Sequence, residues 1–310
     1  MDRQLEDVMT DVNTQERAPR IAMSRDDAAP SRCHVCQAEA PYALRKIRSP
    51  YLPLHYTLYR CPACRCRTFD LLENGDVDLK DFYDSRAIDS VCLRAEFKVS
   101  PRWRHEVSEI RSCREAEVAS VLDVGCRTGD FLMHWPSEVA RCGVELSAEA
   151  AAVANQRDLD VRQAYIEDVE FSHSFDVVSC YALLEHLAEP TRFLDRLSAL
   201  VSEGGVLVIM IPTFQSLKVW LLDVLGIRWQ QYQPPEHLSL FSRSFLDSYL
   251  ARRGFSLRRR TYSSGGQFNP FRSVRVVRSV FSWWMQILDT TGPLRRIPVF
   301  DHMYSYYVRG

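Results

Sequence analysis

The sequence predicts an α/β protein: a largely parallel sheet covered by helices on both faces, preceded by a small β module built around paired cysteines. Three observations carry that expectation. From Ser120 onward, short apolar runs (VLDVG, RCGVEL, FDVVSC, VLVIMI) alternate with helix-like stretches such as AEAAAVANQR and TRFLDRLSALV. That alternation is the pattern of parallel strands joined by crossover helices. Two Cys-x-x-Cys pairs, Cys33/Cys36 and Cys61/Cys64, stand ahead of this region with 24 residues between them. Finally, 310 residues with 46% hydrophobic and 25% charged side chains make a globular composition, long enough for two domains.

Residues 1–30 are polar, with seven acidic against four basic side chains and no apolar periodicity, so a flexible tail is expected there. Residues 31–76 read as a zinc-binding module. The two pairs can bring the thiolates of Cys33, Cys36, Cys61 and Cys64 to one tetrahedral centre, with a β-hairpin through 42–59 carrying the intervening loop. A closed shell of four cysteines leaves no open position, which makes the metal structural; His34 and Cys66 are spare donors. Ten cysteines behind a charged N-terminus read as reduced thiols in a cytoplasmic protein, and no run of 18 apolar residues suggests a membrane span. Residues 77–119 are expected to form a helical linker or cover, with Trp103, Val107 and Ile110 at helical spacing.

Residues 120–310 hold the α/β region, with insertions expected at 212–240 and 263–298. Within it, VLDVGCRTGDF (121–131) combines a strand, a Gly turn and a helix start, and about twenty residues later GVELS places Glu145 at the tip of the next strand. An acid so placed accepts hydrogen bonds from a ribose. The spacing D-x-G-x-x-x-G differs from the dinucleotide fingerprint, and the downstream text points elsewhere.

In order, VLDVGCRTGDF, GVELS, AYIEDVEF, FDVVSCYALLEHLAEP and LVSEGGVLVIMIP resemble the motifs of class I S-adenosylmethionine-dependent methyltransferases. PPEHLSLFSRSFLDSYLARRGF is similar to the following segment in members acting on quinones, sugars and natural products. The resemblance spans about residues 120–262 and implies a Rossmann-like, mainly parallel seven-stranded sheet. It implies that Asp123, Gly125 and Gly129 form the turn around the methionyl end. It also implies that Glu145, with Leu146 beside it, holds the ribose, that Asp168 lies near the adenine, and that Cys180 and Tyr181 line the methionyl amine and the substrate entrance. Helix capping is the ordinary alternative for Asp123 and Asp168. Arg127 stands where the family often has glycine, and its side chain can clash, face solvent or pair with the methionyl carboxylate.

An activated methyl needs alignment with its acceptor, and a base only when that acceptor is a hydroxyl or an acidic carbon. His186 in LLEHL and His237 in PPEHLSLFS are the candidates for that base, with helix packing and a loop hydrogen bond as their structural alternatives. Residues 251–310 carry eleven arginines against Asp289 and Asp301, and FRSVRVVRSVFSWWMQILD (271–289) places arginines on one helical arc and apolar residues on the other. A cover helix, a lid over a lipophilic acceptor and a peripheral membrane-surface contact all suit that pattern. The expected acceptor is a small or carrier-linked metabolite. Two rivals use the same residues: an RNA methyltransferase gripping phosphates with the zinc module and basic tail, and an inactive scaffold, favoured only by Arg127. Nucleic acid is disfavoured because SCYALLEH lacks a base-amine motif.

Overall fold

The computed structural model describes residues 32–39, 41–69, 97, 99–264 and 293–310. Its strands are β1 (Tyr42–Arg48), β2 (His55–Arg60), β3 (Arg67–Phe69), β4 (Ser120–Val124), β5 (Ala140–Glu145), β6 (Asp160–Gln163), β7 (Phe175–Tyr181), β8 (Val201–Pro212), β9 (Ser239–Leu240), β10 (Phe255–Ser263) and β11 (His302–Arg309). The α-helices are α1 (Pro101–Ser112), α2 (Ala148–Asn155), α3 (Pro190–Leu200), α4 (Leu217–Val224) and α5 (Arg243–Ala251). Seven strands form one sheet in the order β10-β11-β8-β7-β4-β5-β6. β4 to β8 pair in parallel, and β11 inserts antiparallel between β8 and β10.

This sheet is Rossmann-like because both of its faces are covered. A central strand without a solvent side reads as one apolar run, and β8 buries Val206, Leu207, Val208 and Ile209 completely. Alternate residues go to opposite faces. Leu122, Val178 and Leu207 meet Leu194 and Leu197 of α3 and Leu246 of α5 on one side. Val121, Val177 and Val208 meet Ile110 of α1 and Ala154 of α2 on the other. Serines start three of the helices: Ser147, Ser216 and Ser242 accept from the backbone N–H of Ala150, Val219 and Phe245 at 3.1–3.2 Å, while Pro101 and Pro190 open α1 and α3.

The chain leaves β4 towards β5 and β6 on one side and comes back to β7 and β8 on the other. The switch point of the sheet therefore lies between the carboxyl ends of β4 and β7, where α/β sheets open a crevice.

The four remaining strands form a second, antiparallel sheet in the order β1-β2-β3-β9. Its last strand comes from the segment after β8: Arg67 pairs with Leu240 and Thr68 with Ser239. That same segment fills the small core, where Ile47, Tyr56, Leu58 and Phe69 pack with Val219, Leu222, Trp229 and Tyr232. Arg45 reaches Asp223 of α4 at 2.6 Å. Residues 212–240 thus bind the cysteine module to the large sheet. The expected helix at 271–289, the tail at 1–30 and all of 77–96 lie outside the described residues. Among the described residues no helix is long and apolar enough to cross a membrane.

Candidate active site

At the switch point the two strand tips are shaped by left-handed backbone. After β4 the chain passes through Gly125 (φ 75°), Arg127 (φ 51°) and Gly129 (φ 77°), and after β7 through Ala182 (φ 51°). A Cβ on Gly125 would lie 3.1 Å from Leu183 Cδ2, so the tip of β7 closes on the turn after β4. Arg127 takes a conformation that favours glycine, its side chain is exposed, and its N–H donates to Glu145 Oε2 at 2.8 Å.

Glu145 is held from two sides, because its Oε1 also accepts from the Ser147 N–H at 2.9 Å. Leu146, next to it, is 52% exposed, and Asp168 is exposed at the end of the 3₁₀ turn Ile166–Asp168. Asp123 is buried and accepts from Ser179 Oγ at 2.7 Å. Burial, only partly offset by that bond, pushes its carboxyl up to about 7. Among the described residues no cation pairs with it.

Cys180 requires a correction. Its thiol is fully buried in the face that holds Leu122 and Ile209, so it packs the core and leaves only backbone for a ligand at the strand tip. Tyr181 points to the other face, against Trp103 (centroids 4.9 Å apart) and Phe131 (5.0 Å). Its hydroxyl donates to Glu106 Oε1 at 3.4 Å, an oxygen that also accepts from Tyr306 at 2.9 Å. Glu106 is wholly buried, and desolvation pushes it up to about 7. Sequence reasoning passed over it, since α1 reads as a charged helix.

The two candidate histidines, 51 positions apart in the chain, are neighbours. His186 sits on the 3₁₀ turn Leu184–His186 just after β7, and its ring meets that of His237 edge to face with centroids 4.8 Å apart. The Leu238 N–H donates to the Glu185 carbonyl at 2.8 Å, which fixes that approach. The role of general base does not fit His237. It is buried, its Nδ1 donates to the Gln231 carbonyl at 2.8 Å, and burial followed by the nearby His186 pushes it down to about 3. Glu185 lies buried beside both rings. It directly precedes His186, and that adjacency was the one signal for it.

The four cysteines converge at the foot of the small sheet through two equivalent knuckles. In each, the residue after the second cysteine, Gln37 or Arg65, is left-handed (φ 59° and 62°) and its N–H donates to the carbonyl of the first cysteine. Cys33 Sγ lies 3.7 Å from Cys64 Sγ, and Cys36 Sγ 3.6 Å from Cys61 Sγ. A zinc tetrahedron with bonds of about 2.3 Å has edges of about 3.8 Å, so the thiols already stand at the spacing of a metal shell. The hydrogen bond with Cys64 and then burial push the Cys33 thiol well up, and a cation is what such a cluster lacks.

A surface pocket of about 350 Å³, lined by Cys113, Arg114, Glu203, Arg258 and Val308, lies at the opposite end of the sheet and contains none of the candidate residues.

Residues 94–259 match the family model described as "Methyltransferase domain". Among curated proteins, the chain is similar to a ubiquinone biosynthesis O-methyltransferase of Serratia proteamaculans, at 33% identity over 119 residues, covering 36% of this chain and 49% of that protein. It is also similar to one of Chromobacterium violaceum, at 30% over 182 residues, covering 54% and 78%. The chain thus spans about half the length of the first of these relatives. Solved structures similar to it include the magnesium protoporphyrin IX methyltransferase of Synechocystis with bound SAH (14% identity, 75% of this chain and 98% of that one, TM-score 0.49). Another is the plantazolicin methyltransferase BpumL with SAH (16%, 77% and 91%, TM-score 0.46).

Proposed function

The chain belongs to the methyltransferase-domain family, and on that premise we propose that it transfers the methyl group of S-adenosylmethionine to a small or carrier-linked acceptor of sugar, quinone or natural-product type. The observation that carries this reading is the fixed Glu145 carboxylate at the tip of β5, held between two backbone N–H groups, one of them from the turn that follows β4 and its buried Asp123. The residues fit the cofactor by their chemistry. Asp123 is a buried acid lacking a cation, which an ammonium supplies; Glu145 keeps lone pairs for a ribose diol. Exposed Leu146 offers the adenine an apolar surface.

When bound, the cofactor supplies a sulfonium-activated methyl group. The protein's own part is alignment: the turn through Gly125, Arg127 and Gly129 seats the methionyl end, Glu145 and Leu146 the nucleoside, and Asp168 the adenine edge. Tyr181 and its aromatic neighbours Trp103 and Phe131 form a wall beside the β7 tip. The O-methyltransferase names of the curated relatives support an acceptor that presents a hydroxyl.

Calorimetry with S-adenosylmethionine and its demethylated product tests the cofactor half. Wild type is expected to bind both, and Glu145→Ala to lose at least about tenfold in affinity. No binding by wild type would favour the inactive scaffold. Profiling of metabolites that gain a labelled methyl tests the acceptor half, and label found in RNA alone would sink it.

The same reading includes one structural zinc on Cys33, Cys36, Cys61 and Cys64. Elemental analysis should find one zinc per chain, and full zinc content in Cys61→Ser would show the shell to be wrong.

A further inference from the structure

Two guanidiniums, those of Arg102 and Arg295, stand over one buried tyrosine ring with no full negative charge to balance them. Arg102, in the first turn of α1, has its guanidinium carbon 4.4 Å from the centre of the Trp103 ring and 5.7 Å from that of Tyr304. Arg295, on the 3₁₀ turn Pro293–Arg296, lies 6.0 Å from the same Tyr304 centre. Arg102 is exposed, whereas Arg295 is 7% exposed and its Nε is buried with no hydrogen-bond partner among the described residues. Among the described residues neither arginine takes part in an ion pair.

The acid that feels both cations is Glu106. Burial pushes its carboxyl up to about 7, against the Tyr306 hydroxyl, Arg295 and Arg102, which all draw it down. At neutral pH it therefore carries only about half a charge, and its Oε1 already accepts from Tyr306 and Tyr181. Ring faces attract a cation without neutralising it. A buried guanidinium lacking a counter-charge is costly, and a second one at the same ring adds repulsion, so the place is built for an oxyanion. Its position in the sheet says whose oxyanion. Tyr304 of β11 pairs with Met210 of β8, and Met210 with Tyr181 of β7, so the three stand in one row. Neighbouring strands lie about 4.8 Å apart, which carries the row about 10 Å away from the β7 tip. That direction leads away from β4 and β5, where the cofactor turn and Glu145 lie.

We propose that Arg295, flanked by Arg102, binds a carboxylate or phosphate of the methyl acceptor, which makes the acceptor an anionic metabolite. The assignment rests on the methyl-transfer reading and names the substrate class of that site. Arg295 supplies a forked donor that pairs with either oxyanion, and the rings of Trp103 and Tyr181, 4.9 Å apart, line the path from there to the β7 tip. An acceptor that spans the row would place its charged group on the order of 10 Å from the methyl donor. The methionyl carboxylate is the competing oxyanion, but the turn that seats it follows β4, three strands from β11 in the sheet order.

The test uses the full chain with and without the demethylated cofactor, and two pairs of probes read by ligand-observed NMR titration. One pair is 3,4-dihydroxybenzoate against catechol, the other phenyl phosphate against phenol. Wild type should bind at least one anionic probe about tenfold or more tightly than its neutral counterpart, and the stronger arm tells carboxylate from phosphate. Arg295→Gln should remove most of that preference, Arg295→Lys should keep part of it, and Arg102→Gln should weaken it about threefold, all with unchanged affinity for the demethylated cofactor. No preference for either anion in wild type overturns the subsite whether or not the variants fold. An unchanged preference in Arg295→Gln and Arg102→Gln also overturns it. A matching loss of cofactor affinity in Arg295→Gln would assign the guanidinium to the methionyl carboxylate and overturn it as well. Anion preference without any cofactor binding would uphold the subsite and sink the methyl-transfer reading instead.

Discussion

Two buried acids set the pH behaviour of single residues. Glu106 is pushed up to about 7 chiefly by burial, so the folded state holds its proton where the unfolded chain has released it. Its contribution to stability is complete below the unfolded value near 4.5 and is withdrawn as pH rises through about 7, by about 3 kcal/mol in all. Glu106→Gln keeps an oxygen for the Tyr306 and Tyr181 hydroxyls, so denaturant unfolding should show the variant gaining on wild type between about pH 5 and pH 8. A constant difference across that range would show that Glu106 binds its proton no more tightly in the folded state than in the unfolded chain. Asp123 has the same sign, but here a ligand should reverse it. A methionyl ammonium favours the ionised carboxyl, so cofactor affinity should rise as pH climbs through about 7, with proton release on binding. Calorimetry in two buffers of different ionisation enthalpy measures that proton, and Asp123→Asn should abolish it. Neither acid was equally legible in the sequence. Asp123 was found because it sits in a strand–turn–helix motif, whereas Glu106 becomes special only when α1 presses it onto Tyr181 and Tyr306, contacts made across 75 and 200 positions.

At the scale of elements, the turn after β4 places a left-handed backbone at two glycines and one arginine, and the three positions should respond differently. A Cβ on Gly129 would stand 2.1 Å from Leu159 Cδ1, at a φ of 77° that side chains resist. Gly129→Ala should therefore cost about 2 kcal/mol in unfolding free energy and weaken cofactor binding through the displaced turn. Arg127→Gly relieves a similar strain, and its side chain is already exposed, so cofactor affinity should stay within about threefold of wild type. A larger loss would mean that the guanidinium reaches the methionyl carboxylate. The strands around this turn were readable because each is a run of apolar residues bounded by turn signals. β9 was not, since Ser239–Leu240 is too short to show a period and its partner, β3, lies some 170 positions earlier. The pairing of His186 with His237 was hidden for the same reason: each had a motif of its own, and only the clamp between Leu238 and Glu185 joins them.

At the scale of the whole molecule, the cysteine module is structurally continuous with the large sheet. Cys33, Cys61, Cys64 and Cys66 share an apolar cluster with Leu122 and Ile209 of the central strands. Ser242, which caps α5, donates from its hydroxyl to the Cys64 carbonyl, and its N–H donates to Cys66 Sγ at 3.4 Å. The segment that completes the small sheet with β9 also carries His237 to the rim of the β7 tip. Loosening the thiolate shell should therefore reach past the module. Removal of zinc by a strong chelator, or Cys61→Ser, should lower the thermal midpoint of the entire chain in one transition, seen alike by tryptophan fluorescence and by far-ultraviolet circular dichroism. Trp229 reports from the small core and Trp135 from the large one, so single-tryptophan versions separate the two signals. Coincident midpoints mark one cooperative unit. If the Trp229 signal melts well before that of Trp135, with cofactor binding retained between the two transitions, the module is an independent domain, and zinc would then stabilise only the scaffold around β1 to β3.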